Sequence, residues 1–142
     1  MTNGKRETEN GKGRLRSWVR VLAVGIACLI GAACRGERVD LRKLETLVTP
    51  AEHQAGEASF AAHCRACHGP RATGTPQGPP LVDRIYQPGH HGDAAFLLAV
   101  QRGVSAHHWR FGNMPPVPGV TESEVRGIVG YVRWLQRQVG IE

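Results

Sequence analysis

The sequence predicts a small all-α domain preceded by an export leader. Three stretches of the 142-residue chain space their apolar side chains as helices do. The segments between them are dense in glycine and proline, and strand-like alternation is almost absent.

The leader comes first. Residues 1–20 carry Lys5, Arg6, Lys12, Arg14, Arg16 and Arg20 against only Glu7 and Glu9. The apolar run from Val21 to Ala33 is 13 residues long, short of the roughly 18–20 that span a bilayer as a helix. A basic start, a short apolar core and small residues at its end make residues 1–33 a secretory signal. Its end reads in two ways. Gly31-Ala32-Ala33 suits ordinary signal peptidase, whereas the same stretch resembles a bacterial lipobox in which Cys34 becomes the lipid-modified first residue. The lipobox leucine is replaced here by Gly31, with Ile30 one position further back. Acylation by more than one chain would hold the exported domain at a membrane. Residues 34–48 read as a tether, with partly helical spacing at Leu41, Leu44, Leu47 and Val48, and the folded domain as 49–142.

Charge follows the same division. The whole chain has a formal charge of +6, but 12 basic and 10 acidic residues from Cys34 onward leave the exported part at only +2. A strongly basic chain would suggest nucleic acid as a partner. A near-neutral one does not.

In the folded part, Thr49 reads as a helix cap, Pro50 as a first-turn residue, and Glu52 as the far side of a capping box. This helix is expected from about residue 50 to Cys64, with Gly56, Phe60 and Cys64 on one face. Residues 69–92 hold ten Gly or Pro in 24 positions, too many for a long helix. A loop of that length in a small domain ordinarily serves a site. A second helix is expected from Asp93, as its cap, to Arg102, with Phe96, Leu97 and Val100 on one side and Gly103 as its stop. After another irregular stretch, Thr121 and Glu124 form a capping box, and Val120 with Val125 a hydrophobic staple. Val125, Ile128, Val129, Val132, Leu135 and Val139 then keep helical spacing up to Gly140. Gly127 and Gly130 each weaken that helix by about 1 kcal/mol relative to alanine, which makes sense where another helix crosses closely. Arg126, Arg133 and Arg137 read as its solvent face.

Of the four cysteines, Cys28 leaves with the signal and Cys34 sits at its end, so the folded part keeps Cys64 and Cys67. They stand in Cys64-Arg65-Ala66-Cys67-His68, the C-x-x-C-H signature of c-type haem attachment. Each thiol can add to one vinyl group of a single porphyrin, and the adjacent histidine can then ligate the iron. The pair could otherwise begin a zinc site completed by two of His63, His68, His90, His91, His107 and His108, or form a thiol redox motif or a disulfide. A covalently held porphyrin would also supply core to a domain too small to be more than marginally stable alone.

From Thr49 to its end the chain resembles the monohaem class I cytochrome c family. Gly56-x-x-x-Phe60-x-x-x-Cys64-x-x-Cys67-His68-Gly69 matches that family's first helix running into its haem motif. Gly78-Pro79-Pro80-Leu81 resembles its G-P-x-L segment, Asn113-Met114-Pro115-Pro116 its Met-Pro loop, and Ile128 to Leu135 its terminal helix. The resemblance implies a small cytochrome c-like fold of three to four helices, with long loops wrapped around one covalent haem c. It implies thioethers at Cys64 and Cys67, His68 as the proximal iron ligand, the carbonyl of Pro79 as the partner of its other ring nitrogen, and Met114 as the distal ligand. A soft thioether favours Fe(II) and raises the potential. His107 or His108 could replace Met114, and Met114 could be an ordinary core residue. Trp109 and Phe111 are expected to line the haem pocket, and His63, His90 and His91 to lie on the surface.

The expected function is one-electron transfer outside the cytoplasm rather than catalysis. Expected partners are a dehydrogenase, reductase or oxidase, and a membrane reached through lipid on Cys34. The expected location is the periplasmic side of a bacterial membrane, or the soluble periplasm if Cys34 is unmodified. Two alternatives stay open: a fixed haem subunit of a larger oxidoreductase complex, and an open distal site that binds a gas or peroxide.

Overall fold

A computed structural model describes residues 39–142, which pack into one unit. The secretory signal at 1–33, Cys34 and the first part of the tether lie outside the described residues. No described helix is long and apolar enough to cross a membrane.

The described part is helical: α1 (Ala51–His63), α2 (Arg65–His68), α3 (Asp93–Arg102) and α4 (Glu122–Gln138), with single 3₁₀ turns at Leu41–Leu44, Pro70–Ala72 and Arg84–Tyr86. Its bridges are isolated pairs, Thr75 with Gly78 and Val104 with Met114.

α4 is the spine. Thr121 caps it as expected: its Oγ1 accepts from the Glu124 N–H at 3.2 Å, and the Glu124 carboxylate accepts from the Thr121 N–H at 2.8 Å. The helix ends at Gly140 in a Schellman arrangement, with the Ile141 N–H donating to the Gln136 carbonyl and the Gly140 N–H to that of Arg137. Ile141 is thereby turned back into the core, 1% exposed. Between these ends, Ile128, Tyr131, Val132 and Leu135 meet Phe60 of α1, and Val125 and Val129 meet Val100 of α3. The staple residue Val120 packs beside both groups.

α1 crosses α4 at Gly56. A Cβ built there would collide with the backbone carbonyl of Gly127, and it would lie 3.2 Å from the Tyr131 Cβ. The close approach that the glycines of α4 imply is therefore real, and Gly56 is the residue it depends on. A Cβ on Gly127 would meet nothing closer than 3.5 Å. Beside the crossing, Phe60 and Tyr131 rings lie 5.7 Å apart, and Tyr131 and Trp134 rings 6.0 Å apart.

Four expectations are corrected. The tether does not extend to residue 48, because Val39, Leu41 and Leu47 already pack against the core. Leu44 is 1% exposed in the core, and the partly helical spacing of Leu41, Leu44 and Leu47 belongs to a 3₁₀ turn and its sequel. The Thr49 to Glu52 capping box does not form, because Pro50 takes the cap position. Thr49 is buried, and its hydroxyl instead accepts from Arg71 at 3.5 Å. Asp93 is the first residue of α3 rather than its cap, which is Gly92.

Arg133 is the fourth. It is 7% exposed, not on a wet face. Its Nε donates to Asp93 at 2.9 Å and its guanidinium to the carbonyls of Tyr86 and His91, both at 2.5 Å. It also donates to the Gln136 side chain at 2.8 Å and lies 5.0 Å over the Phe96 ring. Gln136, 1% exposed, adds bonds to the carbonyls of Leu81 and Tyr86. Two polar side chains of α4 thus hold the irregular segment that follows the core residues Leu81 and Val82.

Candidate functional site

The C-x-x-C-H residues sit where α1 breaks. Cys64 leaves helical geometry with φ −120° and ψ −33°, and the chain restarts at once as the single turn α2. The carbonyl of Cys64 accepts from the N–H groups of both Cys67 and His68, at 3.2 and 2.9 Å. Both sulfurs and the imidazole therefore share one turn. Both are free thiols, Cys64 half-buried and Cys67 exposed. Burial, and then the neighbouring Cys67, push the Cys64 thiol up to about 11, so it stays protonated at neutral pH.

His68 is 9% exposed, and its Nδ1 lies 2.9 Å from the Pro79 carbonyl. A carbonyl can only accept, so Nδ1 carries the proton and Nε2 keeps its lone pair for a metal. Burial holds the imidazole below its ordinary pKa, against the opposing pull of that carbonyl. The arrangement is a neutral imidazole with a fixed tautomer, the form in which histidine binds metal.

A tight backbone wrap delivers Pro79. Arg71 and Ala72 take left-handed conformations, φ 51° and 57°, which non-glycine residues rarely adopt. The turn they make is held on both sides: the Gly74 N–H donates to the His68 carbonyl at 2.7 Å, and the Ala72 carbonyl accepts from Leu81 at 2.8 Å. Arg71 reaches the Leu47 carbonyl at 2.7 Å, tying the turn to the segment before α1. The Thr75 hydroxyl donates to the Cys67 carbonyl at 2.5 Å. Gly78 then passes so close to the motif that a Cβ would lie 2.9 Å from the Cys67 oxygen. A larger residue there would displace Pro79 from His68.

Met114 lies on the loop between α3 and α4, half-buried. Its N–H and carbonyl both pair with Val104, at 3.0 and 2.9 Å, and close a loop over residues 105–113. The Asn113 side chain pins that loop by accepting from the Ala106 N–H at 2.9 Å. Within it, the Trp109 indole Nε1 is buried and has no partner among the described residues. Phe111 stands 6.0 Å away and 40% exposed.

The remaining histidines separate from this group. His63 is exposed. His90, His91 and His108 bring ring nitrogens within 4.8 Å of one another, and neither cysteine joins them. This counts against a zinc site built on Cys64 and Cys67. Desolvation, and then the neighbouring His107, His90 and His91, hold the pKa of His108 down. The roles of Arg71 and Thr75 escaped the sequence reading, and Arg133 was read as solvent-facing, since nothing in a local pattern says which carbonyls they will reach.

These residues fit a covalent porphyrin. Two free thiols stand on one turn beside a neutral imidazole with an available nitrogen, and a buried indole N–H lacks an acceptor that a carboxylate-bearing group would provide. Among curated proteins and among solved structures nothing matches the chain. A family model described as cytochrome c matches residues 53–136, from the first turn of α1 almost to the end of α4. That span covers more than half of the chain and includes the C-x-x-C-H turn, so the chain belongs to the cytochrome c family, whose members hold haem c covalently and transfer electrons through it.

Proposed function

We propose that the protein is a closed, one-electron carrier in which Cys64 and Cys67 form the two thioethers and His68 and Met114 ligate the iron. The observation that carries this reading is the 2.9 Å bond from His68 Nδ1 to the Pro79 carbonyl, which leaves Nε2 as the free donor. When bound, the haem supplies the Fe(III)/Fe(II) couple. The chain's own part is to hold the imidazole neutral and oriented, and to fix the Met114 backbone through Val104 at 2.9 and 3.0 Å. With both protein ligands supplied by His68 and the soft thioether of Met114, the group would have no position for substrate and would favour its reduced state.

The carrier acts outside the cytoplasm, exported by residues 1–33 and tethered through lipid on Cys34 at the periplasmic side of a bacterial membrane. Its partners are redox proteins met by brief docking. The +2 charge of the exported part suits contacts without one dominant electrostatic patch.

Carbon monoxide tests the closed site: the ferrous protein is expected not to bind it readily, and ready binding would favour an open distal position. Mass spectrometry of the N-terminal peptide tests the anchor, with diacylglyceryl on Cys34 expected and an unmodified N-terminus contradicting it.

A further inference from the structure

The four histidines of the irregular segments converge. His90 and His91 end the stretch that follows the 3₁₀ turn Arg84–Tyr86, whereas His107 and His108 lie in the loop closed by Val104 and Met114. The Nε2 atoms of His90 and His108 are 3.2 Å apart. Two nitrogens bound to one tetrahedral zinc at about 2.0–2.1 Å would stand about 3.3 Å apart. One nitrogen from each of His90, His91 and His108 falls within 4.8 Å of the others, and the His107 ring centroid lies 4.2 Å from that of His108.

The rings are also positioned from behind. His91 Nδ1 donates to the Ile85 carbonyl at 2.7 Å, and His107 Nδ1 to that of Ser105 at 2.8 Å. In each case the proton is on Nδ1 and Nε2 is left as a ligand atom, the outer-shell pattern of metal-binding histidines. The backbone beneath is equally fixed: His90 and His91 both donate to the Gln87 carbonyl, at 3.0 and 2.9 Å, and the His91 carbonyl accepts from Arg133 at 2.5 Å. Among the described residues no carboxylate joins the cluster, and the nearby Asp93 is turned to Arg133. An all-imidazole set selects zinc(II) or copper(II) over calcium or magnesium, which take oxygen.

We propose that His90, His91 and His108 bind one zinc(II) or copper(II) ion, with His107 or water in the fourth position, and that the ion clamps the Met114 loop to the segment 84–92. None of the three is a residue proposed to hold the haem, so the site requires only that His108 is not itself the iron ligand.

The test uses ferric, haem-loaded protein without an affinity tag. Calorimetric titration with zinc chloride is expected to show one ion per chain. His90→Ala, His108→Ala and the bulk-conserving His108→Gln are each expected to weaken it roughly a hundredfold or more, since losing even an outer-shell partner costs about 10–100-fold. His63→Ala is expected to leave it unchanged. A copper(II) arm read by electron paramagnetic resonance should show coupling to several nitrogens, lost in His108→Gln. Zinc should raise the melting temperature of the parent protein but not of His108→Gln. No saturable binding, or binding that survives both His108 substitutions, would overturn the site. Binding without a thermal shift would overturn the clamp.

Discussion

The α1–α4 crossing and the two irregular segments, 69–92 and 103–120, are built on opposite plans. The crossing is made of apolar side chains and one glycine contact, so its geometry follows from spacing along each helix. The irregular segments have few buried side chains and take their shape from individual hydrogen bonds: His68 to Pro79, Arg133 to Tyr86 and His91, Val104 to Met114. One region is specified by pattern and the other by position. The second also carries Pro79 and Met114, which serve the haem site from outside the C-x-x-C-H turn, so it is expected to depend on the cofactor more than the first.

The largest effect should come from removing the attachment. Cys64→Ser together with Cys67→Ser is expected to abolish covalent haem, read as loss of haem stain on a denaturing gel. Hydrogen exchange should then show protection vanishing from 69–92 and 103–120 before it falls in α1 and α4. Uniform loss would mean that the two regions are not built differently.

Next is Arg133→Leu, which keeps the bulk but strands the carbonyls of Tyr86 and His91. Bonds from a charged donor are worth about 1.5–3 kcal/mol each, so denaturant titration should show a loss on the order of 3 kcal/mol. A change below about 0.5 kcal/mol would show that the hub is incidental.

The crossing offers a paired test. Gly56→Ala forces a Cβ into the Gly127 carbonyl and should cost about 1–3 kcal/mol through overpacking. Gly127→Ala meets only ordinary contacts at 3.5 and 3.7 Å and should gain up to about 1 kcal/mol from helix propensity. Equal effects would disprove the asymmetry.

The smallest effect concerns pH. Burial, then the Glu57 carboxylate, raise the Tyr131 phenol to about 12, against about 10 in an unfolded chain. The fold holds the protonated phenol more tightly, so its contribution is intact below pH 10 and is lost as pH rises towards 12. Tyr131→Phe should flatten that alkaline slope in denaturation midpoints, and an unchanged slope would assign it elsewhere.

The same contrast explains what could be read in advance. α4 was legible to its ends because Thr121, Glu124, Gly140 and the apolar row from Val125 all act locally. Arg133 was not: it shares a helical stripe with Arg126 and Arg137, and only the return of segment 84–93 over that stripe buries it. Thr49 to Glu52 has the capping pattern, but Pro50 took the cap and Arg71, 22 residues on, took the threonine hydroxyl. His90 and His108 are likewise 18 residues apart and meet only through two loops whose paths no periodicity encodes. The C-x-x-C-H turn was legible for the opposite reason, since its chemistry is confined to five consecutive residues.

A closed electron carrier requires iron held by both His68 and Met114. The direct measurement is the far-red absorption of the ferric protein, where sulfur-to-iron charge transfer absorbs, compared with Met114→Ala. A weak band present in the parent and lost in Met114→Ala, with covalent haem retained in both, is the predicted result. Covalent haem without that band in the parent would contradict it and leave Met114 off the iron.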